Sequence, residues 1–151
     1  MGYSYDKEYD EETMVKAKGR EIQVSPKHST EICDQLREMW LPEAKELLKR
    51  VMNKEEAIPY KKHNAKTGHR KDIEGWDAGG YPVKASENIL KVLENLEANA
   101  EYKGLDPDNI MLIHSAASKA TEIEGYDPKA FGRTGEFNEQ TTNVEFIGEE
   151  R

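Results

Sequence analysis

The alternation of apolar and polar positions in the first part of the chain predicts a short strand followed by two helices. Residues 21–24 alternate polar and apolar side chains, as in a strand with one buried face. Ser25 follows, a residue type that often caps the start of a helix, and then Pro26, which suits the first helical turn. Apolar residues then recur at helical spacing over about residues 26–39, and a second helix is expected to open at Pro42.

The second part of the chain predicts one long helix and two strands. Apolar residues repeat at helical spacing between Ala85 and Ala100, and Gly104 supplies a stop signal. Residues 110–117 are typical of a buried strand, and residues 143–147 alternate as a further strand. About 25 mostly polar residues with interrupting glycines separate these strands, which favours either a long protruding hairpin or a disordered loop.

A long loop with a basic character lies between residues 58 and 82, where glycine and proline interrupt a polar stretch that has no period. From Lys61 to Lys84 the chain carries six bases against three acids, interleaved with tyrosine, histidine and tryptophan. RNA-binding proteins use this combination to contact the backbone and to stack on bases. A merely solvated lysine-rich loop is an equally good interpretation of the composition.

Length, charge and cysteine content limit the class of protein. The 151 residues have the length of one ordinary domain, and their net charge of −8 by itself argues against binding to nucleic acid. The lone cysteine, Cys33, allows no internal disulfide and fits a reducing cytosol. No apolar run reaches the roughly 18 residues of a membrane span, and no targeting signal is expected. Residues 1–17 form an acidic segment, which we expect to be solvated and mobile or to lie at an edge.

Catalytic and metal chemistry find little support in the sequence. His63 and His69 have no further ligands at suitable spacing nearby, so no metal site is expected. Cys33 beside His28 is a conceivable nucleophile, but its place in an amphipathic helix favours a buried, inert thiol. Gly79 and Gly80 lack the strand-turn-helix setting of a phosphate loop. We therefore predict a protein that is not an enzyme and has no cofactor, metal or small-molecule substrate.

Several short motifs resemble archaeal-type ribosomal large-subunit proteins of the L-twenty-two family. They occur in the family's order over nearly the whole chain. The matching segments are Ser25–Ser29, Glu31–Cys33, His63–Asn64, Gly68–Arg70, Glu74–Gly79, Tyr81–Ala85, Leu93–Asn95, Ala98–Pro107, Pro128–Arg133, Phe137–Asn138 and Asn143–Glu145.

This resemblance implies an α+β fold, in which a small antiparallel sheet packs with about three helices and a long β-hairpin over residues 118–140 projects from the body. It also implies a structural protein of the cytoplasmic ribosome, monomeric when isolated and not attached to a membrane. Its partners would be large-subunit ribosomal RNA, neighbouring ribosomal proteins and, along the exit tunnel, the nascent peptide.

The resemblance further assigns residues to these contacts, through charge neutralisation and shape fitting rather than readout of base sequence. The tunnel-lining residues would be Ile123, Glu124, Gly125 and Tyr126. The RNA-binding residues would be Lys27, His28, Lys61, Lys62, His63, Asn64, Lys66, His69, Arg70, Lys71, Trp76, Tyr81, Lys84, Lys119, Lys129 and Arg133.

The hairpin region departs from the family's pattern. Where the family has a basic run, residues 117–124 carry Ser118, Thr121, Glu122 and Glu124. From Lys119 to the end of the chain there are four bases and eight acids, which surrounding phosphates would repel. Adaptation to high salt, an extraribosomal relative and a surface redesigned for solubility are the three explanations. A soluble scaffold of this fold with weakened or absent RNA binding is therefore the rival hypothesis.

Overall fold

The computed structural model describes residues 2–5 and 8–151. Its helices and strands confirm the α+β class, with helices packed on a small antiparallel sheet and a long hairpin. The helices are α1 (Pro26–Leu36), α2 (Leu41–Met52) and α3 (Val83–Lys103). The strands are β1 (Met14–Ile22), β2 (Ile58–Pro59), β3 (Gly79–Gly80), β4 (Ile110–Ile123), β5 (Tyr126–Pro128), β6 (Thr134–Glu136) and β7 (Glu139–Glu150).

The core lies between the helices and a three-stranded antiparallel sheet with the order β1-β7-β4. Phe146 of the central strand β7 is fully buried there. Each helix contributes apolar residues at the spacing of one face, because the buried stripe of an amphipathic helix must find an apolar partner. Fully buried contributions are Ile32 and Leu36 from α1, Leu48 and Val51 from α2, and Ile89, Leu93 and Leu96 from α3.

Helix α3 follows the prediction closely. It begins two residues before Ala85 and ends at Lys103, and Gly104 takes the left-handed conformation with φ of 80°. The amide of Gly104 donates hydrogen bonds to the carbonyl oxygens of Ala100 and Glu101, which terminates the helix in the way that glycine favours. Helix α2 likewise has Pro42 in its first turn, as predicted.

Several predicted boundaries were wrong: β4 continues past residue 117 to Ile123, and β7 extends beyond residues 143–147 on both sides. Two others have a clear tertiary reason. Strand β1 begins at Met14 rather than at residue 21, because its backbone pairs with β7 from Met14 onward. Helix α1 ends at Leu36 instead of residue 39, because the amide of Glu38 turns away to donate to the carbonyl oxygen of Leu112. In both places a partner distant in sequence decides the backbone conformation.

The long hairpin is formed by the ends of β4 and β7, which remain paired out to Ile123 and Glu139. Beyond them β5 pairs with β6, and a short turn at residues 130–132 closes the tip. Phe131 sits in that turn with φ of 59° and its side chain fully exposed. Of the two alternatives that the sequence left open, a hairpin and a disordered loop, the structure therefore has the hairpin.

The acidic N-terminal segment is tied to the sheet in its described residues. Glu145 of β7 is buried, and its carboxylate accepts hydrogen bonds from the amide of Ser4 at 2.8 Å and from Lys18 at 3.0 Å. The ring of His114 lies 3.2 Å from the same carboxylate. Burial alone would raise the pKa of Glu145, but the hydrogen bonds from Ser4, Lys18 and His114 outweigh it and lower the pKa to about 2.

This depressed pKa predicts a loss of stability in acid. Because the pKa of Glu145 falls from 4.5 to about 2 on folding, its contribution is complete above pH 4.5 and disappears as the pH falls towards 2. We expect Glu145→Gln to cost about 2 to 3 kcal/mol of unfolding free energy at pH 7 and little near pH 2. Urea unfolding across this pH range measures the difference. Glu149→Gln on the same strand is the control and should show a much smaller pH-dependent difference, because Glu149 pairs with the more exposed Arg151.

Candidate nucleic-acid interface

The basic loop is fastened to helix α1 by one buried carboxylate. Glu31 is 2% exposed and accepts three backbone hydrogen bonds from consecutive residues of the loop. The amide of Lys61 donates to one carboxylate oxygen at 2.9 Å, and those of Lys62 and His63 donate to the other at 2.8 and 2.6 Å. Charge-assisted hydrogen bonds of this kind are stronger than neutral ones. The loop therefore leaves the body in one defined direction.

Backbone hydrogen bonds give the base of the loop a regular structure, although its sequence has no helical or strand periodicity. Strands β2 and β3 pair antiparallel at Ile58–Gly80 and Pro59–Gly79. A Cβ on Gly79 would lie 2.6 Å from the carbonyl oxygen of Ile58, so a side chain at this position is excluded. Farther out, the amide of Arg70 donates to the carbonyl oxygen of Asp77 at 2.7 Å. The two arms of the loop are thus held side by side by backbone bonds.

Aromatic side chains surround Tyr60, the residue at which the loop leaves the core. The ring of His28, from the first turn of α1, stacks on the Tyr60 ring at 5.4 Å between centroids. Desolvation against the Tyr60 ring region lowers the pKa of the His28 imidazole. The indole Nε1–H of Trp76 donates to the carbonyl oxygen of Tyr60 at 2.8 Å. These contacts bring His28 and Trp76 to the same region as Lys61 and Lys62.

The cations of the loop differ in how they are paired. Lys62 forms an ion pair with Asp34 at 2.5 Å, and Arg70 lies over the ring of Tyr81 at 5.1 Å. The Tyr81 hydroxyl donates in turn to Asp72 at 2.5 Å. Within residues 2–5 and 8–151, three exposed loop lysines form no ion pair and are available to an anionic partner: Lys61, Lys66 and Lys71.

The other predicted loop residues, His63, Asn64 and His69, are exposed along the same segment. Lys27 is exposed in the first turn of α1 and Lys84 in that of α3. Lys84 lines a shallow groove with Ser25 and Glu139, at the base of the hairpin. The predicted RNA-binding residues outside the hairpin therefore cluster around the loop, with Lys84 towards the hairpin base.

Of the three predicted RNA-binding cations in the hairpin, two are paired with acids nearby in the sequence. Lys119 pairs with Glu122 at 2.7 Å, and Lys129 pairs with Asp127. Arg133 is exposed and forms no ion pair with the described residues. The predicted tunnel-lining residues Ile123, Glu124, Gly125 and Tyr126 lie where β4 gives way to β5, and all but Gly125 are exposed.

The predictions from sequence omitted the residues that organise the loop. Glu31 and Asp34 belong to α1 and are about 30 residues distant in sequence from the loop that they bind. A weak signal was available: Glu31 stands directly beside Ile32 and Cys33 at the edge of the apolar face, where an acid is unusual. Its partners are backbone amides, and no sequence motif of side chains indicates such a contact.

Cys33 is buried in α1, and burial raises the pKa of its thiol to about 12. The interpretation as an inert core residue is therefore confirmed, because a nucleophilic cysteine needs an accessible thiolate.

Across residues 2–5 and 8–151, no group of three histidine, cysteine or acidic side chains is arranged to hold a metal ion. In the same residues, no helix has the length and apolar character needed to cross a membrane.

Comparison with known proteins identifies the family. A sequence model described as "Ribosomal protein L22p/L17e" matches residues 17–149, from strand β1 to the end of β7. The chain belongs to this family. The L22p/L17e family is one of ribosomal proteins with a structural role, so the predictions of family and of a non-enzymatic ribosomal protein are confirmed.

Archaeal members of the L22p/L17e family are similar over almost their full length. The protein named "Large ribosomal subunit protein uL22" from Methanopyrus kandleri is 54% identical over 145 residues, covering 95% of this chain and 91% of the relative. Its namesake from Methanosphaera stadtmanae is 48% identical over 145 residues, covering 96% and 94%. That from Archaeoglobus fulgidus is 47% identical over 151 residues, covering 100% and 97%. The archaeal type is thereby confirmed as well.

Proposed function

We propose that this protein is a structural constituent of the large ribosomal subunit in the cytoplasm, where it binds large-subunit ribosomal RNA mainly through the basic loop. The hairpin lines the nascent-peptide exit tunnel, with residues 123–126 towards the peptide. Neighbouring ribosomal proteins are further partners, and the isolated chain is a monomer. The family's ribosomal role and the relatives' name, large ribosomal subunit protein, support the proposed place in this subunit.

One observation carries the RNA-binding part of the proposal: the loop presents unpaired lysines from a rigid base. Lys61, whose amide is bound by Glu31, is followed along the loop by Lys66 and Lys71. A flexible lysine loop would lose conformational entropy on binding, whereas a fastened loop has lost part of it already. The positive loop is thus suited to phosphate contacts in spite of the protein's net charge of −8.

We expect the hairpin to contribute less than the basic loop to the electrostatic attraction of RNA. Lys119 and Lys129 are neutralised by Glu122 and Asp127, so they release few counterions from RNA unless these pairs are broken. This observation is also the one that favours the second candidate, a soluble or extraribosomal scaffold with weak RNA affinity. The two candidate functions differ in one respect: in the first, the lysines of the basic loop alone are sufficient for binding RNA, and in the second they are not.

Binding of the full chain to a large-subunit RNA fragment, measured at several salt concentrations, tests the proposal. We expect Lys66→Gln with Lys71→Gln to reduce the slope of log affinity against log salt by about 1.5, because each lost phosphate contact removes roughly 0.7 to 0.9. The matched control, Lys49→Gln with Lys91→Gln, changes the same charge on α2 and α3 and should leave the slope unchanged.

A third variant addresses the hairpin. Lys119→Gln with Lys129→Gln should alter the slope by less than the loop variant, because both lysines are already paired. Equal slopes in the loop and control variants would contradict the assignment of RNA binding to the loop. No measurable binding of the unaltered chain at low salt would favour the soluble scaffold instead.

A further inference from the structure

The two arms of the basic loop enclose an open groove of about 710 Å³. One arm contributes Asn64, Thr67 and His69, and the other contributes Gly75, Trp76, Asp77 and Ala78, with Ile73 between them. The main chains bridge across the groove at His69 and Ala78. The lining is mainly polar side chains and backbone, with one large aromatic surface supplied by Trp76.

The Trp76 indole is held in a fixed orientation and remains accessible. Its Nε1–H is bound to the carbonyl oxygen of Tyr60, and Gly75 before it has φ of 71°, a conformation that few other residues adopt. With its polar atom satisfied and 38% of its surface exposed, the indole offers an apolar face to the groove. Large aromatic surfaces in such settings are typical of binding sites rather than of folding cores.

We propose that this groove binds one unpaired nucleobase of RNA, stacked on the face of Trp76. The inference rests on the proposed function and deepens it, by placing a base-binding site within the phosphate-binding loop. Every base has a π-face, so a fixed aromatic ring accepts any of them.

The groove's surroundings favour a nucleotide over other occupants. Lys66 and Arg70 are the sequence neighbours of the lining residues Thr67 and His69, so this arm of the groove carries two cations suited to flanking phosphates, with Arg70 over the Tyr81 ring. Asp77 is the one acid in the lining and forms no ion pair with a described residue. Its carboxylate and the amide of Asn64 are groups that hydrogen-bond the edges of unpaired bases.

The chain provides its own control for this site, because it has two tryptophans that are equally exposed. Trp40, between α1 and α2, is 38% exposed, the same fraction as Trp76, but it lies outside the groove. Trp40→Phe leaves Trp76 as the sole source of tryptophan fluorescence, and Trp76→Phe leaves Trp40. The probes are an adenine hexaribonucleotide and inorganic polyphosphate of equal charge, both at low salt.

We expect the hexaribonucleotide to quench the emission of Trp76 in the Trp40→Phe protein and to leave that of Trp40 nearly unchanged in the Trp76→Phe protein. Polyphosphate competes for the lysines but should quench neither. Trp76→Ala should weaken RNA binding by roughly five- to 150-fold, corresponding to the value of one stacked base, whereas Trp76→Phe should retain much of the affinity. Urea unfolding of both Trp76 variants establishes that they are folded.

Binding followed independently, through the anisotropy of a labelled RNA, separates the two proposals. Salt-dependent binding without quenching of Trp76 would overturn the base-binding site and leave the proposed function intact. Equal quenching of both tryptophans would also overturn it. The absence of any binding at low salt would contradict both the site and the proposed function.

Discussion

Replacing Glu31 with alanine is expected to release the basic loop from helix α1. The substitution removes the acceptor of three backbone hydrogen bonds and leaves the amides of residues 61–63 without partners. Breaking buried, charge-assisted bonds of this kind costs about 3 to 5 kcal/mol when the freed donors cannot all reach water. Hydrogen exchange of these three amides should accelerate strongly, and affinity for a large-subunit RNA fragment should fall with it.

Two further variants distinguish the effect of losing the Glu31 hydrogen bonds from the effect of losing a negative charge. Glu94→Ala removes the same negative charge from an exposed position on α3 and should change neither exchange nor affinity. Glu31→Gln retains one oxygen acceptor but places an amide group towards the remaining N–H donors, so its effect should be intermediate. Unchanged protection of residues 61–63 in Glu31→Ala would show that the loop's orientation does not depend on this carboxylate.

Phe146→Ala is expected to have a comparably large effect on stability. Phe146 lies on the central strand β7, fully buried beneath the helices. Truncating a buried phenylalanine loses the transfer free energy of the ring and leaves a cavity, which together cost about 3 to 5 kcal/mol. Urea unfolding at pH 7 should show this as a lower midpoint with little change in slope.

The hairpin tip supplies the matched control for this core substitution. Phe131→Ala removes the same ring from a residue that is 100% exposed, and the unfolding free energy should change by less than about 0.5 kcal/mol. The two variants together test whether the hairpin contributes to the stability of the body. A loss of stability in Phe131→Ala similar to that in Phe146→Ala would mean that the tip packs against the body.

The acidic excess near the C-terminus is less concentrated in the hairpin than the sequence suggested. Of the eight acids that follow Lys119, three lie on the body's side of β7. Glu145 is buried beside Lys18, Glu149 pairs with Arg151, and Glu150 accepts a hydrogen bond from the amide of Asp106. These acids have structural partners, so the repulsion of RNA expected from the projecting hairpin is correspondingly smaller.

The sequence by itself determined the elements whose signals are local. The apolar spacing from Ala85 to Ala100 and the stop at Gly104 predicted α3, because a helix is made from contacts three and four residues apart. Pro42 predicted the opening of α2, because proline suits the first turn of a helix, where a backbone N–H would have no partner within the helix. The basic character of the loop and the family resemblance were also evident from the order of residues alone.

Only the tertiary structure decided features that depend on partners distant in sequence. The start of β1 at Met14 follows from pairing with β7, and the end of α1 follows from the bond of Glu38 to Leu112. The role of Glu31 and the orientation of Trp76 rest on contacts to backbone atoms of the loop, at separations of 16 to 32 residues. Every residue has the same amide and carbonyl groups, so a sequence pattern cannot say which of them a side chain will meet.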